Sequence, residues 1–189
     1  MYKNIKAATE AIASQYFDDI QLLHNIKDDT LFVSIHINNS NPNVEYACCL
    51  SLEIPYQMIC LIHDILNGVT VSDLDTTLIV KDLNDDIEVI RQNGSCDLNT
   101  CKGDLSIETA IPDSGYCRGY SASGNIHLKI PGTTSATIVA YSHEGTVSYT
   151  NLDLEILYHK ADSLSARSGS GNGEICLETE KGNIEMVGF

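Results

Sequence analysis

The sequence predicts an all-β chain: one short β-solenoid over residues 1–189, with an N-terminal helix and longer capping strands in 1–53 and repetitive coils over 54–189. Three observations carry this. Apolar residues alternate with polar ones at i and i+2, the period of a half-buried strand. Short strands recur roughly every nine residues with Gly, Asn or Asp at the turns between them. A longer Ile-Pro…Gly repeat overlies the short one.

Taken in chain order, residues 2–16 carry Ile5, Ala8, Ile12 and Tyr16 at helical spacing, which predicts a helix placed to cap one end of the coils. The period then changes to two. Leu31, Val33, Ile35 and Ile37 form one apolar row, and Val44, Tyr46, Cys48, Leu50, Leu52 and Ile54 form another. Between them NNSNPN is turn-forming.

From Asn67 onward the strands shorten. Gly94 and Gly103 stand nine apart, as do Ile87 and Cys96, Cys96 and Leu105, and Gly173 and Gly182. Each unit offers two inward residues and then turns, because Gly and Asn/Asp adopt positive φ at low cost. Ile54-Pro55, Ile111-Pro112 and Ile130-Pro131 each precede a turn glycine (Gly68, Gly124 and Gly145), and proline suits a strand end because it cannot donate to a ladder. Gly103, Gly124 and Gly145 are spaced by 21 and 21. That spacing fits coils of two roughly ten-residue sides, with Ile87 stacked on Leu105 and Cys96 facing them across the core, and it leaves two or three sides per coil open. The stretch from Ser165 to Gly173 reads as an exposed loop.

Three runs carry a resemblance: SGNIHLKIP from Ser123, TIVAYSHEGTVS from Thr137 and SGSGNGEICLETEKGNIEM from Ser168. With the Gly-x-Val and Gly-Asp-Leu turns between Ile54 and Ile107, they resemble the bacterial adhesin family of repetitive β-solenoid domains. The resemblance covers about residues 54–189 and consists of turn glycines and core aliphatics. It implies a right-handed parallel β-helix and an adhesive role, and it brings no catalytic residues.

Composition narrows the partners. A formal charge of −15 repels phosphate backbones, so neither nucleic acid nor an anionic membrane is expected as a partner. No apolar run is long enough to span a bilayer, so membrane insertion is not expected. Seven cysteines at irregular spacing, with no secretory leader in the first residues, point to a cytoplasmic location; a cell-surface location is the alternative.

Five constellations in the sequence bear on chemistry. Cys96 and Cys101 lack zinc spacing, and adjacent Cys48 and Cys49 would point to opposite faces of a strand. Calcium needs an oxygen cage; Asp85, Asp86, Asp104 and the GSGNGE run from Gly169 supply turn oxygens without the required Gly-Gly-x-Gly-x-Asp pattern. Glu88 and Asp97 are the pair considered for acid–base cleavage of a glycan, which needs two carboxyl groups at a defined separation. His24, His36, His63, His127, His143 and His159 are scattered, without a nucleophile elbow. The Gly-rich run has no Lys-Ser/Thr after it and is no phosphate loop.

The expectation is therefore a non-enzymatic binding or scaffold protein with no catalytic residue, no metal and no cofactor, presenting an acidic surface to a protein or glycan partner. Two alternatives accompany it: a structural solenoid that self-associates through its ends, with the C-terminal IEMVGF as joining edge, and a glycan-active enzyme.

Overall fold

The computed structural model describes residues 2–6, 20–27, 30–37, 45–49, 55, 58–63 and 68–189. The chain divides into two compact units, Met1–Ile54 and Pro55–Phe189.

In the first unit, β1 (Tyr2–Lys6) pairs antiparallel with β4 (Glu45–Cys49), and β2 (Ile20–Lys27) pairs antiparallel with β3 (Thr30–Ile37). The strand expected from Leu31 to Ile37 is present. The helix expected over 2–16 is not: Tyr2–Lys6 is a strand, and residues 7–19 lie outside the described ones. A partner strand supplies five residue pairs there, and such tertiary pairing outweighs a short apolar stripe at helical spacing.

The second unit consists of two facing sheets, largely parallel and not closed into a barrel. From Cys60 to Ile130 successive strands alternate between them. Cys60–His63 (β5), Leu78–Leu83 (β7), Cys96–Thr100 (β9) and Tyr116–Ser121 (β11) lie in an eight-stranded sheet. Val69–Ser72 (β6), Ile87–Gln92 (β8), Leu105–Thr109 (β10) and Ile126–Ile130 (β12) lie in a six-stranded one. Equivalent residues stack in parallel register: Val69 on Ile87, Ile87 on Leu105 and Leu105 on Ile126. The expected stacking of Ile87 on Leu105, with Cys96 in the opposite sheet, is present.

Alternate residues of both sheets point inward and bury Leu78, Val80, Cys96, Leu98, Cys117, Ile138, Ile175 and Leu177 against Ile87, Val89, Leu105, Ile107, Ile126, Leu128, Ile184 and Met186. The facing is close enough that a Cβ on Gly119, in the eight-stranded sheet, would lie 3.3 Å from Leu105 Cδ1 in the other. Aliphatic layers without large rings fill this thin interior at high density.

The stack then departs from sequence order. Ala136–Glu144 (β13) and Val147–Thr150 (β14) do not sit on β11 and β12. The C-terminal strands Gly173–Lys181 (β17) and Ile184–Gly188 (β18) lie between the two layers: β11–β17–β13 in one sheet and β12–β18–β14 in the other. Gly124 and Gly145, expected on adjacent coils from their 21-residue spacing, are thus separated by Gly182. The strand that IEMVGF was expected to offer as a free edge is flanked on both sides. Strands β13 and β17, both nine residues long, pair over eight registered positions, a length match that a shorter strand lacks. Beyond β13, Ser163–Ser168 (β16) and Glu155–Lys160 (β15) add antiparallel strands to the eight-stranded sheet. Half of the predicted loop from Ser165 is therefore strand, with Ala166 and Ser168 buried. Its small Ser and Ala side chains gave no apolar alternation to read.

One corner of the stack is held by two ladders. At the first, the side-chain oxygen of each residue preceding a six-stranded-sheet strand accepts the backbone N–H of its counterpart in the next layer. Asp86 accepts from Asp104 at 2.8 Å, Asp104 from Asn125 at 2.6 Å, Asn125 from Asn183 at 2.9 Å and Asn183 from Thr146 at 2.9 Å. At the second, buried hydroxyls close the turn glycines. Ser121 donates to the Gly103 carbonyl at 2.9 Å, Thr179 to Gly124 at 2.8 Å and Ser142 to Gly182 at 2.7 Å. The glycines touch backbone to backbone: a Cβ on Gly124 would lie 2.0 Å from the Gly103 carbonyl oxygen, and one on Gly182 2.1 Å from that of Gly124.

Candidate functional site

The sequence-level candidates are not brought together. Glu88 belongs to the six-stranded sheet and Asp97 to the eight-stranded one. Both point away from the core, so they lie on opposite outer faces and cannot flank one glycosidic bond. Asp97 meets Lys81 at 3.5 Å, and Glu88 accepts from Thr70 at 3.3 Å. Asp86 and Asp104 are committed to the amide ladder, and Asp85 to the Asp86 amide at 2.8 Å.

Cys96 and Cys117 are register partners inside the core. The Cys96 thiol beside it, together with burial, pushes the Cys117 thiol well up from its ordinary range. Cys101 and Cys176 are exposed. The side chains of Cys48, Cys49, His36 and His63 lie outside the described ones.

A different surface gathers functional groups: the outer face of the eight-stranded sheet where β9, β11, β17, β13, β16 and β15 lie side by side. Register sets its side chains in rows. One row runs Tyr116, Glu174, Thr137, Arg167 and Glu155. The next runs Asp97, Arg118, Cys176, Val139, Ser165 and Tyr158, and the third Asn99, Tyr120, Glu178, Tyr141, Ser163 and Lys160. Strand alternation puts all of these on one side because their neighbours fill the core. Val139 and Tyr141 are 46% and 39% exposed, which is high for such side chains in a sheet interior, and Tyr158 on the edge strand is 47% exposed.

The charged groups on this face are paired but open to solvent. Arg118 Nε lies 2.9 Å from Glu174 Oε1 and sits over the Tyr116 ring at 4.9 Å. His143 Nε2 lies 3.0 Å from Glu178 and 3.7 Å from Glu180, and its ring meets Tyr141 edge-on at 4.5 Å. Burial, followed by the carboxylates of Glu180 and Glu178, holds the Tyr120 phenol above its ordinary range. Donor atoms of His143, Glu178 and Glu180 fall within 4.8 Å of one another, the one such group among the described residues. One imidazole and two carboxylates on a solvent-facing sheet suit a weakly held divalent cation of the zinc or manganese type.

A shallow cleft of about 530 Å³ lies elsewhere, lined by Asp73, Asp75, Arg91, Asn93, Glu108 and Phe189 among others. Arg91 grips Asp73 at 2.6 and 2.7 Å and Asn93 donates to Asp75 at 2.7 Å, whereas the buried Gln92 Oε1, also in the lining, has no hydrogen-bond partner among the described residues. The Arg91 guanidinium holds the Asp73 carboxyl below its ordinary range.

His143 was one of six scattered histidines in the sequence. Its partners Glu178 and Glu180 lie 35 and 37 positions on, beyond the β15–β16 hairpin. The outward spacing of Tyr141 with His143, and of Glu178 with Glu180, is visible in the sequence; their adjacency is not, because it depends on the out-of-order layer. No family model matches this chain, and neither a curated protein nor a solved structure matches it.

Proposed function

We propose that this chain is a non-enzymatic binding module that docks a protein partner on the outer face of the eight-stranded sheet. The observation that carries the reading is the flat arrangement of Tyr116, Tyr120, Tyr141 and Tyr158 with Arg118 and Arg167, interleaved with Glu174, Glu178 and Glu180. Tyrosine and arginine give large, semi-rigid contact area with polar tips, the composition of interface anchors. The three glutamates and the charge of −15 favour a partner with basic side chains, by steering and by rim pairing. The acid–base reading has no such support, since Glu88 and Asp97 occupy opposite faces.

The scaffold is read as a two-sided β-solenoid. Its support is the alternation of strands between two largely parallel sheets from Cys60 to Ile130, where register partners lie 18 to 21 residues apart. Right-handed winding follows from the handedness preference of parallel crossovers. The resemblance to the adhesin family fits an adhesive rather than a catalytic use of this face.

The test is a selection of displayed random peptides on the immobilised protein, alongside a glycan array. Basic peptides are expected to bind, and Tyr120→Ala with Tyr141→Ala to weaken them at least tenfold, which corresponds to about 1.4 kcal/mol. Peptides bound equally by that double variant, or glycans bound in place of peptides, would overturn the reading.

A further inference from the structure

Strand β15 ends the eight-stranded sheet. One side of its backbone pairs with β16, and the other has no strand beside it among the described residues. All six of its residues are exposed, including Ile156 at 40%, Leu157 at 56% and Tyr158 at 47%. An open edge carrying three large apolar groups is a template for strand addition.

The irregularity in this strand decides how it can pair. Glu155 stands opposite Arg167 and Ile156 opposite Ala166, but Tyr158, not Leu157, stands opposite Ser165, and Lys160 stands opposite Ser163. Leu157 is therefore the extra residue of a β-bulge. The bulge reverses the alternation, so Glu155 and Lys160 share the outer face with Tyr158, while Ile156 and His159 share the inner one. In an unbulged strand, residues five apart would lie on opposite faces.

We propose that β15 joins two copies of this chain, pairing antiparallel with β15 of the second copy about a two-fold axis between Leu157 and Tyr158. In that register Glu155 of each copy lies opposite Lys160 of the other on the outer face, and Ile156 lies opposite His159 on the inner face. Leu157 and Tyr158 meet at the axis. The bulge makes these opposed residues face the same way in both copies, so the strand is self-complementary in charge and in facing, as a two-fold interface requires. The second copy covers the exposed apolar groups, and the outer faces become one continuous surface. This pairing shares Tyr158 with the docking face but is tested apart from it, because Tyr120 and Tyr141, the residues changed in the docking test, lie on interior strands.

Light scattering and sedimentation on the whole chain test it. The wild type is expected at twice 20.6 kDa. Glu155→Lys alone and Lys160→Glu alone place like charges across the axis, and each is expected to be monomeric, with dimer dissociation at least tenfold easier. An equimolar mixture of the two variants is expected to regain a dimer holding one copy of each, read by native mass spectrometry, and the double variant E155K/K160E is expected to dimerise on its own. Both sites are exposed, and recovery in the mixture shows that the variants fold. A wild type that stays monomeric at its highest soluble concentration, single variants as dimeric as the wild type, or a mixture that forms no mixed dimer would each overturn the proposal.

Discussion

Thr179 shows what a single hydroxyl does in this stack. Its side chain is fully buried, and it donates to the Gly124 carbonyl of the neighbouring layer. Thr179→Val keeps the shape and removes the donor, leaving that carbonyl short of a partner, so a loss of roughly 1–2 kcal/mol is expected in urea denaturation, with Thr179→Ser nearer wild type. The motif behind this was open to view: Thr100, Ser121, Ser142 and Thr179 each precede a turn glycine by three residues. An apolar/polar pattern treats a buried hydroxyl as a surface residue, and only the turn geometry shows what it bonds. Cysteine was easier, since a thiol on an apolar row behaves as a small hydrophobe. Cys96 and Cys117 should resist thiol reagents until the protein is denatured. Cys101 should react in the native state, and Cys176 more slowly than an unperturbed thiol, because burial and then Glu174 and Glu178 raise it. Mass spectrometry after timed alkylation would check the order; early labelling of Cys117 would contradict it.

At the scale of elements, legibility followed the source of each signal. Strands β8, β9, β10 and β12 announce themselves through apolar alternation bounded by turn residues, and they lie where that pattern puts them. Strand β16 has the sequence SLSARS, whose inward positions are Leu164, Ala166 and Ser168. Two of these are small, so the segment reads as flexible polar chain, and its order comes from pairing with β13 and β15. Leu164→Ala distinguishes the two readings. A leucine on a loop tolerates the change, whereas a fully buried one is expected to cost about 2–4 kcal/mol. A shift in urea midpoint equal to that of a surface control would argue that β16 is not part of the core. Residues 2–6 err in the other direction: Ile5 fits a helical stripe locally, but the strand Glu45–Cys49, some forty residues later, determines the outcome.

For the whole molecule, local pattern was sufficient to predict an all-β chain with equivalent residues in register, and insufficient to order the layers. Nothing between Ile130 and Gly173 says that the next layer must leave room for a later one. The candidate face was illegible for the same reason, since Tyr120, Glu178 and Tyr141 become neighbours only when β17 enters between β11 and β13. The order also sets where the stack is most vulnerable. Ending the chain at Asn172 removes β17 and β18, which pair with four strands and bury Ile175, Leu177, Ile184 and Met186. Such a truncation is expected to abolish cooperative unfolding of Pro55–Phe189, read by circular dichroism and hydrogen exchange. A truncated chain that melts as sharply as the full one would show that the neighbouring layers close over the gap.

The hydroxyl and amide ladders have a meaning in the time domain as well. A polypeptide emerges from its N-terminal side at about 5–20 residues per second. Asp86, Asp104 and Asn125 can therefore link up as they appear, the Asp104 and Asn125 amides each finding an acceptor in the layer just made. Asn183 is synthesised after Thr146, yet it must take its place between Asn125 and Thr146. Until it arrives, the Asn125 oxygen and the Thr146 amide face an unfilled slot. The nascent chain thus carries a vacancy in the middle of its own hydrogen-bond series, and the segment that fills it is the one that leaves the ribosome later than everything it touches.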